Sequence, residues 1–80
     1  MTREEVFEVI KTNILENLED LNADEITMEG SMKDYGANSL DMIEIVSVSM
    51  RQLKIKVPRT ELVDIKSIGE LVDKFMDHMN

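Results

Sequence analysis

Asp34-Tyr35-Gly36-Ala37-Asn38-Ser39-Leu40-Asp41-Met42-Ile43-Glu44 marks a passage from irregular chain into helix. Asn38 carries the short polar side chain of a helix N-cap, and Asp41 places a carboxylate in the first turn, at the positive end of the helix dipole. Ser39 therefore opens the helix with a hydroxyl, and Gly36 gives the approaching loop conformational freedom. Beyond it, Leu40, Met42, Ile43, Ile45, Val46, Val48, Met50 and Leu53 recur too densely for one amphipathic stripe. They cannot all face one core. Some should stay exposed, and exposed apolar side chains beside a serine suggest a docking face. Val57-Pro58 ends the element, because a residue before proline avoids the helical region.

Upstream, Thr2 and Glu5 have the spacing of a capping box and start a helix from about Arg3 to Leu18. Val6, Phe7, Ile10, Ile14, Leu15 and Leu18 repeat at helical spacing along it, with acidic residues largely on the other side. Residues 19–38 show no sustained period. A connection this long needs anchors, and Ile26, Met28, Met32 and Tyr35 are the side chains suited to hold it across the top of a bundle. Downstream, Glu61–Ile65 predicts a short turn or helix. Ser67 with Glu70 forms a second capping box, opening a last helix whose buried stripe is Ile68, Leu71, Val72, Phe75, Met76 and Met79. The expected fold is all-α: a small bundle of three main helices plus one short helix, with a long loop between the first two. Residues 1–80 form a single domain in this reading, with no strand.

The chain has no cysteine, so neither a disulfide framework nor a thiolate metal site is open to it. Its 42% hydrophobic and 4% aromatic content implies a core of aliphatic side chains and methionine. The formal net charge of −8 argues against binding nucleic acid or an anionic membrane, and for partners with basic docking patches. No apolar run nears the roughly 20 residues of a membrane span, and no signal-peptide pattern follows Met1. These features predict a free-standing cytoplasmic protein, without a linker to another domain, and a monomer.

Ser39 is poorly equipped as a catalytic nucleophile. The only histidine, His78, lies near the C-terminus in a position expected to fray, and no nucleophile elbow surrounds the serine. As an attachment point it is better placed: unpaired backbone N–H groups at a helix start stabilise an anion such as a phosphodiester. On Asn38-Ser39 alone, the serine reads as an ordinary helix opener, and the attachment reading needs more of the sequence. Asp24, Glu25, Glu29 and Asp34 lack the spacing of a calcium loop and read as solvated loop charge.

The stretch from Asp34 to Glu44 resembles the phosphopantetheine attachment motif of acyl carrier proteins, usually Leu-Gly-x-Asp-Ser-Leu. The resemblance continues through the acidic first helix, the loop with Ile26 and Met32, Lys56-Val57-Pro58 and the final helix. It implies that Ser39 receives 4′-phosphopantetheine from coenzyme A, through a phosphopantetheinyl transferase, and that the chain is a carrier rather than an enzyme. It further implies docking roles for Asn38, Leu40, Asp41, Ile43 and Glu44, with Ile45, Val46 and Leu53 lining the bundle interior. Two departures stand out. Asn38 replaces the usual Asp, and Arg51 and Lys54 occupy positions where fatty-acid carriers tend to be acidic. Asp41 and Glu44 are thereby balanced along the helix, which suggests a specialist whose docking face includes Arg51.

The form Gly36-Ala37-Asn38-Ser39-Leu40-Asp41, with Val57-Pro58-Arg59 downstream, is most similar to discrete carriers of bacterial polyketide pathways, in particular the donor carriers of β-branching cassettes. That likeness implies an acetyl group, formed from malonyl, presented to a hydroxymethylglutaryl-synthase-like enzyme. Acyltransferase and ketosynthase are further implied partners. The alternatives are a fatty-acid, aminoacyl or D-alanyl carrier, or an unmodified helical adaptor.

Overall fold

The computed structural model describes residues 1–79 and contains three α-helices: α1 (Arg3–Asn17), α2 (Ser39–Leu53) and α3 (Ile68–Asp77). Each begins where local chemistry favours it. Thr2 Oγ1 accepts from the Glu5 N–H at 3.2 Å and Glu5 Oε1 accepts from the Thr2 N–H at 2.8 Å, closing the predicted box on α1. At α3 only half of the expected box forms. Ser67 Oγ accepts from Glu70 N–H at 3.2 Å, but the Glu70 carboxylate reaches past Ser67 to the Lys66 N–H at 2.6 Å.

α1 is the central element, packing against both α2 and α3, which share no comparable seam. Val6, Ile10 and Ile14, four residues apart and fully buried, form its inner face. Ile68, Leu71, Val72 and Phe75 supply the matching stripe of α3, while Met76 is only half-buried. Met79 lies beyond the end of the helix and is half-buried too. From α2 the fully buried residues are Ile45 and Ser49; Val46 and Leu53, expected inside, are half-buried. A helix without a direct seam to α3 has only its α1-facing side to bury.

The connection between α1 and α2 is more ordered than its lack of period suggests. It contains two short 3-10 helices, Ala23–Glu25 and Met32–Tyr35, too brief to leave a periodic signal. Ile26 and Met32 are buried, and Met28 and Tyr35 half-buried, as the anchors were expected to be. Tyr35 adds a polar tie: its hydroxyl accepts from the Thr27 N–H at 3.0 Å. The loop is also fastened to the start of α3, where the N–H groups of Ile68 and Gly69 donate to Gly30 O and Met28 O at 2.9 and 2.8 Å. These bonds satisfy helix-start donors that would otherwise be orphaned. Gly69 permits the approach, since a Cβ there would lie 3.1 Å from Met28 O.

α2 stops earlier than Pro58 requires. Lys54 adopts the left-handed conformation at φ 59°, its N–H donates to Arg51 O, and the Ile55 N–H donates to Met50 O at 3.1 Å. This is a Schellman closure, made with lysine where glycine is usual. The short element downstream is a 3-10 helix at Arg59–Glu61 followed by a turn, slightly earlier than the predicted Glu61–Ile65.

Candidate functional site

Ser39 is the first residue of α2 and is exposed. The capping work belongs to its neighbours. Asn38 Oδ1 accepts from the Asp41 N–H at 2.8 Å, and Asp41 Oδ2 accepts from the Asn38 N–H at 3.1 Å. The reciprocal pair holds the helix start without the Ser39 hydroxyl, leaving that oxygen free for chemistry beside unpaired first-turn N–H groups.

The segment before Ser39 is held rather than free. The 3-10 helix Met32–Tyr35 is closed by Gly36 at φ 87°, a left-handed turn that a Cβ would strain. Ala37 follows with its side chain buried and its N–H donating to Met32 O at 3.1 Å. Gly36 therefore serves a defined turn rather than the expected mobility. A buried alanine, one residue from the cap, fixes where the serine is presented.

Around this point α2 shows three faces. Ile45 and Ser49 face the bundle interior. Leu40 and Ile43 are exposed at 75% and 47%, and with the exposed Glu44 they form an apolar-acidic surface just past the serine. Asp41 is half-buried by its capping role, and Arg51 is exposed toward the far end of the helix. Val63, 72% exposed in the turn after the last 3-10 helix, joins the exposed apolar residues. Nothing in its local pattern singled it out.

Ser39, Met42, Ile43, Val46, Ser47 and Met50 form a third stripe, spaced at three and four, which walls one side of a groove of about 800 Å³. The other walls come from Leu62, Val63, Ile65, Ile68 and Leu71, so the groove occupies the space between α2 and α3. Sequence reasoning placed these apolar residues but not the void between them.

His78 is not part of this site. Contrary to the fraying expected of it, it is half-buried, its Nε2 lying 3.2 Å from Glu61 Oε1, so that it ties the end of α3 to the segment after α2. The His78 hydrogen bond, with Lys74 nearby, holds the Glu61 carboxyl below its ordinary range.

Comparison with known proteins identifies the arrangement. The family model for the phosphopantetheine attachment site matches residues 8–75. The polyketide biosynthesis acyl-carrier protein AcpK of Bacillus subtilis (strain 168) is 38% identical over 77 residues, covering 96% of this chain and 94% of that protein. An acyl carrier protein of Clostridium perfringens (strain 13 / Type A) is 32% identical over 74 residues, covering 91% and 96%. Among solved structures, a chain in the crystal structure of the curacin biosynthetic pathway HMG synthase in complex with acetyl donor-ACP superposes with a TM-score of 0.75. It is 36% identical, with 94% of this chain and 96% of that chain covered.

Proposed function

This chain belongs to the phosphopantetheine attachment family and is an acyl carrier protein, and we propose that Ser39 is its attachment residue in a bacterial polyketide pathway. The observation that carries the assignment is the division of labour at the start of α2. Asn38 and Asp41 complete the cap between themselves, and the exposed Ser39 hydroxyl stands unused at the mouth of an apolar groove. The residues present fit the group. First-turn N–H groups of α2 suit a phosphodiester on Ser39, and the groove is roomy and apolar enough for the arm or its cargo. When bound, 4′-phosphopantetheine supplies a thiol that carries acyl groups as thioesters, a nucleophile that a chain without cysteine lacks.

In this reading a phosphopantetheinyl transferase transfers the arm from coenzyme A. Asn38, Leu40, Asp41, Ile43 and Glu44 form the docking face, with exposed apolar contacts from Leu40 and Ile43 and a charge from Glu44. Arg51, farther along α2, adjusts that face for a specialised partner. The likeness to the Bacillus polyketide carrier and to the chain crystallised with an HMG synthase supports a cytoplasmic donor role in β-branching, presenting an acetyl group to an HMG-synthase-like enzyme. Acyltransferase and ketosynthase would meet the same face at other steps.

Intact-protein mass spectrometry after incubation with coenzyme A and a broad-specificity transferase tests the assignment. A gain of one phosphopantetheine, mapped to Ser39 and lost in Ser39→Ala, is the expected result. No gain in a folded protein would replace the carrier reading with that of an unmodified helical adaptor. If the loaded, acetylated protein fails to support an HMG-synthase-like condensation but serves fatty-acid elongation, the pathway assignment falls while the attachment stands.

A further inference from the structure

The groove beside Ser39 has a charge opposite to that of the protein. Lys33, Lys56, Arg59 and Lys66 line it and no carboxylate does, although the chain holds 17 acidic residues against 9 basic ones. The four cations come from two parts of the chain: Lys33 from the 3-10 helix before α2, and Lys56, Arg59 and Lys66 from the connection between α2 and α3. All four are exposed at the rim. Among the described residues the ion pairs are made by other bases, Arg3 with Asp73, Lys11 with Glu8, and Lys74 and His78 with Glu61.

Asp34, Glu61 and Glu70 have other partners, and Asp64, exposed in the turn before Lys66, makes no ion pair with these cations among the described residues. Asp34 Oδ2 accepts from the Ser31 N–H, Glu70 Oε2 accepts from the Lys66 N–H, and Glu61 is held by His78 and Lys74. Among the described residues no ion pair ties up the four cations, and they rim an apolar trough that no carboxylate lines. Low-dielectric walls of this kind focus the field of the charges on their rim. A ligand that fits must be apolar along its stem and anionic at its end.

We propose that this groove selects and holds a short acyl group ending in a carboxylate, that is, a dicarboxylic half-thioester, with Lys33, Lys56, Arg59 and Lys66 supplying the counter-charge. The proposal rests on the carrier reading of Ser39. Ser39 stands at one end of the stripe and Met50 at the other, about 16 Å along the helix axis. A cargo folded back into the trough can thus reach cations well beyond the position of a phosphodiester on the serine. Arg59 adds a planar fork suited to a carboxylate. A neutral acyl group of the same length loses this anchor, so the groove distinguishes a carboxylated cargo from its uncharged counterpart.

The test uses the full chain loaded on Ser39 with the unacylated arm, with malonyl, and with acetoacetyl, which replaces the carboxylate by a neutral methyl ketone. Mass spectrometry establishes each species before measurement. The readouts are the methyl resonances of Met42 and Met50 and the rate of thioester cleavage by hydroxylamine. The expected result is a shift of both methyls in the malonyl form alone, and malonyl cleavage about two- to fivefold slower in the wild type than in Lys56→Gln/Arg59→Gln, the scale of one or two exposed charge pairs. The methyl shifts should vanish in that variant, whose circular dichroism should match wild type because both side chains are exposed. Equal methyl shifts in the malonyl and acetoacetyl forms, or equal malonyl cleavage in wild type and variant, overturn the proposal. Shifts already complete with the unacylated arm also overturn it and assign the cations to the phosphodiester. Failure to load, visible in the mass, overturns the carrier reading and this proposal with it.

Discussion

Asn13 Nδ2 donates to Ser49 Oγ at 2.8 Å across the seam between α1 and α2, with both side chains essentially sealed from solvent. The second N–H of the same amide reaches Gln52 Oε1 at 3.0 Å. A polar pair thus sits in the main interface α2 makes with another helix, and it is satisfied from both sides. Removing one partner leaves the other buried and unpaired. Asn13→Ala should cost about 1–3 kcal/mol in urea unfolding, and Asn13→Leu combined with Ser49→Ala should cost less than the two single changes added together.

Ser39 and Asn38 should separate cleanly on substitution. Ser39→Ala should abolish phosphopantetheine loading and leave stability within about 0.5 kcal/mol, because the cap does not use its hydroxyl. Asn38→Ala should lose about 1 kcal/mol as the box opens. Thermal unfolding monitored by circular dichroism, beside intact mass, checks both. A large loss of helicity in Ser39→Ala would make the serine structural.

Lys54 closes α2 in a conformation that L side chains adopt at a cost. Lys54→Gly should raise stability by about 1 kcal/mol, read as a higher urea midpoint at unchanged slope. An unchanged or lowered midpoint would mean that the lysine stem makes compensating contacts.

Glu61 carries the acid dependence of the link between α3 and the segment after α2. Its folded pKa lies below the ordinary glutamate value of 4.5, chiefly through the His78 hydrogen bond. A depressed carboxylate contributes stability above its unfolded pKa and loses it as pH falls through the folded one. The stability difference between wild type and Glu61→Gln should therefore be greatest toward neutral pH and shrink below about pH 4.5. A difference independent of pH would remove Glu61 as its source.

The proposed docking face is open to test by substitution. Leu40→Asp and Ile43→Asp change exposed side chains and should leave the melting temperature nearly unaltered, while slowing partner-dependent acyl transfer severalfold. Arg51→Glu should weaken the cognate partner enzyme more than it affects loading by the transferase. Equal losses in both assays would remove Arg51 from a specialised face.

The helices were legible because their determinants are local. Thr2 with Glu5 and Asn38 with Asp41 meet across a single turn, and the expected starts of α1 and α2 coincide with the observed ones. The Glu70 carboxylate was misread because Lys66 and Ser67 both offer an N–H within its reach, and only the actual backbone path chooses between them. The 3-10 helices in the long loop were invisible for another reason. Three or four residues make no period, and their positions depend on Ile26 and Met32 finding the core.

By itself the sequence determined the three main helices, the fully buried stripes of α1 and α3, and an exposed Ser39 at the opening of α2, since caps and helical periodicity act over a few residues. Tertiary structure alone decided which of the crowded apolar side chains of α2 would be buried, because that depends on α1 packing on both other helices while α2 and α3 share no comparable seam. It also decided that Asn13 would meet Ser49 in the interior, that His78 would be held by Glu61, and that four cations from separate segments would rim one groove. Such side chains carry no shared local signal, and their proximity arises only when the helices pack.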